Sequence, residues 1–152
     1  MLLAKNNLIY TLQMLNYTID YEWKDESSRA IMQGLQNFNA GFIGFDNPKK
    51  LSVTVRDDAG KIVAGLLAQT NWNWMYIGWV WVDEKYRRCG IGKQLMSDAE
   101  REAKGLGCDH THLTTLDFQA REFYEKLGYE VFAALEDYPR GHTRFMMKKK
   151  IR

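Results

Sequence analysis

The feature that most constrains the fold is an apolar run that ends in a glycine-containing loop and continues as a helix. The run, Met75 to Val82, has few charges, which is typical of a central strand buried on both faces. The loop Arg87-Arg88-Cys89-Gly90-Ile91-Gly92 follows, and apolar residues then recur at every fourth position from Ile91 to Ala103. Backbone N–H groups at such a helix start bind anions such as a pyrophosphate. The sequence therefore predicts a phosphate-binding loop in an α/β fold.

Spacing excludes two common nucleotide-binding loops. A dinucleotide-binding fingerprint requires a third small residue where this chain has Leu95. A Walker loop requires glycine where this chain has Arg87, and serine or threonine where it has Gln94. The pattern that remains is Arg-x-x-Gly-x-Gly directly after a strand.

This pattern resembles the acetyl-CoA loop of the GNAT superfamily of N-acetyltransferases. A second segment, Ala120 to Tyr129, is similar to the late helix of that family, where a short helix carrying a tyrosine stops at glycine and leads into a strand. The resemblance implies an α/β GNAT fold, with a central mixed sheet of about six or seven strands flanked by helices. It also implies that two adjacent parallel strands, here Met75 to Val82 and His112 to Leu116, splay apart around the thioester arm of the cofactor.

The rest of the chain has the pattern of mixed α and β elements. Asn16 to Glu22 predicts a first strand, and Lys24 to Ser28 opens a helix that ends at Asn37 to Gly41. Leu51 to Val55 and Lys61 to Ala68 form a hairpin around a turn at Asp57 to Gly60. The later elements are a helix at Ala120 to Leu127 and strands at His112 to Leu116, Tyr129 to Leu135 and Thr143 to Lys149.

Side chains of the central strand alternate between its two faces because successive residues of a strand point in opposite directions. Alternation predicts one face made of Met75, Ile77, Trp79 and Trp81. The opposite face is then made of Tyr76, Gly78, Val80 and Val82.

The GNAT resemblance implies a site for acetyl-CoA. Backbone N–H groups from Arg88 to Lys93 hold the pyrophosphate, and the open edge of Val80 to Val82 pairs with the pantetheine arm like an added strand. Asp117 stands where the family pattern has asparagine, so it either contacts the cofactor or caps the following helix. The implied cofactor-binding residues are Val80, Trp81, Val82, Arg87, Arg88, Cys89, Gly90, Ile91, Gly92, Lys93 and Asp117.

Tyr124 is the candidate catalytic residue, since it matches the family tyrosine whose hydroxyl lies near the CoA sulfur. A phenol with a pKa of about 10 is protonated at neutral pH and can donate a proton to the departing thiolate. The alternative is an ordinary aromatic core residue. The general base that accepts the proton of the amine is not assigned. The candidates are ordered water and five side chains: Glu22, Asp137, His110, His112 and His142.

Aromatic residues are the candidate contacts for the acceptor. Rings can form a wall for an organic cation by cation–π attraction, although ordinary packing is the alternative for the tryptophans. The loop joining the last two strands often borders the acceptor site in GNAT enzymes. The candidates are Tyr21, Trp23, Trp72, Trp74, Tyr138 and His142.

Composition predicts one domain over residues 1–152, with 1–14 as an extra or poorly ordered segment. A net charge of +2 gives no reason for a nucleic-acid partner, and no run approaches the ~18 apolar residues of a membrane span. Two cysteines cannot form a disulfide framework or a four-ligand zinc site, so no metal is expected. We expect a cytoplasmic homodimer, with Thr143 to Met147 contributing to the dimer contact.

The predicted function is direct transfer of the acetyl group of acetyl-CoA to a primary amine of a small molecule. Antibiotics, polyamines and amino-acid derivatives all fit this description. The alternative enzyme is an acetyltransferase acting on protein N-termini or lysines. A non-catalytic acyl-CoA-binding sensor is the alternative from another class, and Tyr124 favours an enzyme over it.

Overall fold

The computed structural model describes residues 16–23 and 25–152, and the chain divides into two compact units, 1–45 and 46–152. In the first unit, residues 16–23 form no strand, so the strand predicted at Asn16 to Glu22 is wrong. Helix α1 spans Asp25–Ile43 and continues through Gly34 and Gly41, past its predicted end. A glycine inside a helix costs only about 1 kcal/mol, which good helix formers on either side offset. The predictions made for residues 1–14 lie outside the described residues.

The second unit is built on one six-stranded mixed sheet with the order β1-β2-β3-β4-β6-β5. All neighbouring strands are antiparallel except β3 and β4, which are parallel. This topology confirms the predicted mixed sheet and its antiparallel hairpins. The strands are β1 (Lys50–Arg56), β2 (Ile62–Asn71), β3 (Trp74–Val82), β4 (His110–Leu116), β5 (Glu130–Leu135) and β6 (Arg144–Lys150).

Two helices of this unit contribute to its buried core. Helix α2 spans Ile91–Gly105 and helix α3 spans Arg121–Lys126, close to their predicted positions. The stripe predicted for α2 is confirmed, since Leu95, Ala99 and Ala103 are buried in the same cluster as Met75 and Ile77 of β3. The apolar stripe therefore packs α2 against the sheet.

A β-bulge in β3 overturns the predicted alternation. Leu67 of β2 pairs with Trp79, whereas the next residue, Ala68, pairs with Ile77, so Gly78 is an extra residue in β3. The extra residue reverses the faces beyond it. Ile77 is 2% exposed, but Trp79 and Trp81 are 74% and 50% exposed. The tryptophans therefore do not share the buried face of Ile77, and β3 is not buried on both faces.

The parallel strands β3 and β4 pair over only part of their length. Their register runs from Trp74 opposite His110 to Ile77 opposite Leu113, although β3 continues to Val82 and β4 to Leu116. Beyond Ile77 the two strands diverge and leave a gap. This is the splayed arrangement expected from the GNAT resemblance.

Strand β6 lies between β4 and β5, so both of its edges are paired. The prediction that Thr143 to Met147 contributes a sheet edge to a dimer is therefore wrong. Among the strands that the structure describes, β1 and β5 are the edges of this sheet. Among the described residues, no helix combines the length and apolar character needed to cross a bilayer.

Candidate active site

A cleft of about 690 Å³ opens where β3 leads into α2. Predicted cofactor-binding residues from the strand end and from the glycine loop lie together in its wall. They are Val80, Trp81, Val82, Arg87, Arg88, Gly90, Gly92 and Lys93. The strand edge and the loop, inferred separately from the sequence, thus border one cavity.

Local hydrogen bonds shape the loop between β3 and α2. The carboxylate of Asp83 accepts a bond of 3.0 Å from the N–H of Lys85, which starts a short 3₁₀ turn at Glu84–Tyr86. The guanidinium Nε of Arg87 donates to the carbonyl of Val82 at 3.0 Å and ties the loop back to the strand. Gly90 has a φ of +82°, a conformation that glycine adopts without steric cost.

Helix α2 begins with N–H groups available to an anion. The first turn of a helix has no acceptors of its own for these groups. Backbone bonding in the helix begins with the N–H of Gln94, which donates to the carbonyl of Gly90 at 3.0 Å. Gly92 also lets α3 approach, because a Cβ there would lie 3.2 Å from the ring of Phe123. With Arg88 and Lys93 in the wall, this cleft suits a phosphate-bearing ligand.

A second cavity of about 390 Å³ fills the gap between β3 and β4. It shares part of its wall with the first cleft, so the two cavities adjoin. The shared residues are Val80, Gln119, Ala120 and Tyr124. A group that lies along the first cleft can therefore reach the gap at Tyr124.

Tyr124 is 9% exposed and lies on α3 at the junction of the two cavities. Burial raises the pKa of its phenol above the ordinary value of 10, because the charged phenolate would lose hydration. Its ring contacts Phe123 and Tyr129 edge-on, with centroids 5.1 and 6.0 Å away. Tyr124 thus offers a neutral O–H donor at physiological pH.

Comparison with known proteins agrees with this geometry. The acetyltransferase (GNAT) family profile matches residues 7–129, which extend over both units. The chain belongs to the GNAT acetyltransferase family. It is 35% identical over 95 residues to a blasticidin-S acetyltransferase of Streptomyces morookaense, covering 62% of this chain and 70% of that protein.

Two further similarities cover nearly the whole chain. An acetyltransferase of Agrobacterium fabrum is 26% identical over 136 residues, or 90% of this chain and 99% of the relative. A crystal structure of an acetyltransferase from Bacillus cereus ATCC 14579 superposes with a TM-score of 0.79 at 29% identity, covering 88% of this chain and 97% of that one. The protein is therefore an acyltransferase, and GNAT acetyltransferases use acetyl-CoA.

Three of the GNAT cofactor residues expected from the sequence do not line the cleft. Cys89 is exposed, with its thiol 3.5 Å from the carbonyl of Arg87, and Ile91 packs against the core. Asp117 is held by the loop before β6, where its carboxylate accepts from the N–H of Thr143 at 3.1 Å and lies 3.0 Å from Nδ1 of His142. It does not cap α3, whose N-terminal residue has no side-chain cap.

The pairing of Asp117 explains its acidity. Burial by itself would raise the pKa of this carboxyl, but the hydrogen bonds from Thr143 and His142 outweigh burial and hold the pKa below its ordinary value. The ring of Phe118, which lines the first cleft, meets His142 edge-on at 4.8 Å. His142 is thus connected to the site through Phe118, although it lines neither cavity.

The aromatic acceptor candidates are spread over the molecule. Trp72 and Trp74 lie at the turn between β2 and β3, and Trp74 stacks on His110 at 4.5 Å, at the end of β4 away from the gap. Neither tryptophan lines the two cavities. Tyr138 lies in the loop before β6, and Tyr21 and Trp23 belong to the first unit.

Within the described ranges, no group of three or more potential metal-binding side chains is assembled.

Sequence reasoning missed several residues that border the cavities. The cleft is also lined by Tyr86, Phe118, Gln119, Ala120 and Phe123, and the gap by Tyr76, Thr114, Leu116 and Arg144. Gln119 closes the end of β4, since its Oε1 accepts from the N–H of Leu116 at 2.9 Å. A signal for Phe118 and Gln119 was present, because both stand between a predicted strand and the helix that carries Tyr124.

Proposed function

We propose that this protein transfers the acetyl group of acetyl-CoA directly to a primary amine of a small molecule. The observation that carries the proposal is the junction of two cavities at Tyr124, one bordered by the anion-binding loop and the other by the gap between β3 and β4. Direct transfer needs such a junction, because donor and acceptor must meet at one carbonyl carbon. The relative that acts on blasticidin S supports a small-molecule acceptor.

The residues of the first cleft bind and orient the donor in this proposal. The thioester of acetyl-CoA supplies the activated acetyl group when it is bound. N–H groups at the start of α2 hold its pyrophosphate, with Arg88 and Lys93 adding positive charge. The unpaired edge of β3 from Val80 to Val82 offers backbone groups to the pantetheine arm, since β4 has diverged there.

Tyr124 moves the proton that the reaction requires. The neutral amine nitrogen attacks the acetyl carbon, a C–N bond forms and the C–S bond breaks. The sulfur leaves with the electron pair, and the proton of the Tyr124 hydroxyl passes to it. The amine loses its own proton to water, and a proton from water restores the Tyr124 hydroxyl. Tyr124 suits this role because burial keeps the phenol neutral.

Homodimerisation and a cytoplasmic location remain predictions. Among the described strands, β1 and β5 stand at the edges of the sheet, so they are better candidates than β6 for pairing between copies. The two cysteines, Cys89 and Cys108, are both free thiols. Light scattering over a range of protein concentrations tests the dimer, and a constant monomer mass contradicts it.

Calorimetric titration with acetyl-CoA, followed by a transfer assay, tests the proposed function. The assay measures free thiol release with a panel of aminoglycosides, blasticidin S, polyamines, amino acids and peptides with free N-termini or lysines. We expect saturable binding of acetyl-CoA and amine-dependent thiol release with small amines. Absence of binding contradicts the whole proposal, and release with peptides alone contradicts its small-molecule part.

A further inference from the structure

The gap between β3 and β4 has a distinctive charge. The described residues that line it are glycine or have apolar, hydroxyl, amide or aromatic side chains, and one has a positively charged side chain. That cation is Arg144, and no carboxylate of the described residues lines this cavity. An acceptor with several ammonium groups would find nothing here to balance its charge, whereas an acidic group would find a guanidinium.

Arg144 is held at the wall of the gap by the fold. It begins β6, where it pairs with Leu116 at the end of β4 on one side and with Leu135 of β5 on the other. Its guanidinium carbon lies 4.2 Å from the centroid of the Tyr138 ring. A cation–π contact of this kind fixes the position of the guanidinium without using its N–H donors.

The donors of Arg144 have no acidic partner in the part of the chain that the structure describes. None of the ion pairs among these residues includes Arg144, in contrast to Arg121, which lies 2.8 Å from the carboxylate of Glu125. A guanidinium presents a planar set of donors that matches the two oxygens of a carboxylate or a phosphate. A guanidinium without a carboxylate partner beside a cavity is therefore a recognition group for such an anion.

We propose that Arg144 selects acceptors that carry an acidic group, a carboxylate or a phosphate, in addition to the amine that is acetylated. The acidic group binds the guanidinium, and the amine then lies in the gap towards Tyr124. This proposal rests on the proposed function, because it concerns the acceptor of the same reaction. It favours amino-acid derivatives over polyamines among the small amines.

Matched acceptors that differ by one acidic group test this selectivity. L-lysine and 1,5-diaminopentane differ by one carboxylate, and phosphoethanolamine and ethanolamine differ by one phosphate. We expect kcat/KM to be at least about tenfold higher for the acidic member of one or both pairs, the change that about 1.4 kcal/mol gives. In Arg144→Gln this ratio falls towards one, and in Arg144→Lys, which keeps the charge but not the planar set of donors, it is intermediate.

Controls separate selectivity from folding. Arg121→Gln removes a cation that lines neither cavity, so its selectivity remains that of the wild type. The KM for acetyl-CoA and the melting temperature of Arg144→Gln show whether that variant is folded. Equal kcat/KM values within both pairs, or a ratio that Arg144→Gln leaves unchanged, overturn the proposal for Arg144 but leave the acetyltransferase proposal intact.

A binding measurement decides the case in which none of these four amines is acetylated. Glutarate and inorganic phosphate are titrated into the CoA-saturated protein while the side-chain Nε–H resonance of Arg144 is followed by NMR. Saturable shifts that persist in Arg121→Gln, together with anion binding in calorimetry that Arg144→Gln loses and Arg121→Gln keeps, support the anion site. In that case, the absence of shifts for both anions overturns it.

Discussion

At the scale of single residues, Tyr124 has the most direct chemical role that we assign. We expect Tyr124→Phe to lower kcat by about 10² or more, because general acid catalysis contributes roughly 10² to 10⁴. The KM for acetyl-CoA should stay near the wild-type value, since the ring remains in place. Steady-state thiol release measures both constants.

Tyr129 gives a matched control for this substitution. Its ring is also buried and contacts Tyr124, but its hydroxyl donates to Glu100 at 3.1 Å, and Tyr129 lines neither cavity. Tyr129→Phe should lower the unfolding free energy by about 1 kcal/mol and leave kcat nearly unchanged. If both variants lost the same fraction of kcat, or if Tyr124→Phe turned over normally, Tyr124 would not be the proton donor.

The position of a site residue could be predicted from the sequence only where the residue belongs to a short sequence motif. The positions of Tyr124, Gly90 and Lys93 follow from short patterns, and all three border the first cleft. Arg144 carries no such pattern, because its place beside the gap depends on the pairing of β6 with β4, a contact between segments far apart in sequence. The contacts of Asp117 could not be predicted for a similar reason, since the loop before β6 holds its carboxylate.

At the scale of elements, the loop between β3 and α2 can be tested through its backbone. Gly90 has a φ of +82°, and no atom lies within 4 Å of a Cβ built on it. We therefore expect Gly90→Ala to strain the loop by about 1 to 2 kcal/mol without a steric clash. Because the strained residue orients the N–H groups of the loop, the Kd for acetyl-CoA in calorimetry should rise about tenfold.

Gly60 offers the same backbone conformation at a distance from the cleft. It has a φ of +81°, equally open space around the position that a Cβ would occupy, and a place in the turn between β1 and β2. Gly60→Ala should lose similar stability in thermal unfolding while the Kd for acetyl-CoA stays unchanged. Equal weakening of binding in both variants would mean that general destabilisation, not loop geometry, governs the affinity.

Several elements of the second unit were predictable from periodicity, but the faces of β3 were not. The apolar stripe of α2 and the turn of the first hairpin are local features, and both appear where the sequence places them. The bulge at Gly78 depends on pairing with β2, which alternation along one strand cannot reveal. One extra residue was enough to exchange Val80 and Trp79 between the two faces.

At the scale of the whole molecule, His112 makes the stability of the folded protein depend on pH. It lies on β4 beside the ring of Tyr76, at 5.0 Å, and its backbone partner on β6 is Lys148. Burial lowers the pKa of its imidazole, so below about pH 6.5 the unfolded chain binds more protons than the folded one. Stability due to neutral His112 is therefore present above pH 6.5 and is lost as the pH falls through the folded pKa.

Thermal unfolding of His112→Gln checks this linkage. Between pH 7.5 and pH 5.5, the melting temperature of the wild type should fall by more than that of His112→Gln. Between pH 8.5 and pH 7.5, where His112 does not titrate, the two proteins should change in parallel. Identical slopes in the acidic window would show that His112 does not destabilise the folded protein on protonation.

The sheet as a whole was predictable because the order of its elements leaves few arrangements. A strand, a helix and a strand in succession make β3 and β4 parallel neighbours, and the hairpins on either side are antiparallel. The first unit was less predictable. Its expected strand is absent from residues 16–23, where aromatic and apolar residues such as Tyr17 and Ile19 imitate the composition of a strand.

The divergence of β3 and β4 also affects whether the ligand-free protein can pair with strands of other molecules. A sheet that separates in its middle carries two internal rims of unsatisfied peptide groups, and such rims invite strands from other molecules. Here the opening is lined in part by the aromatic side chains of Trp79 and Tyr76. Because these bulky rings leave less room for a pleated strand than for a flexible arm, we expect the opening to admit the pantetheine arm of a cofactor more readily than a strand of another molecule.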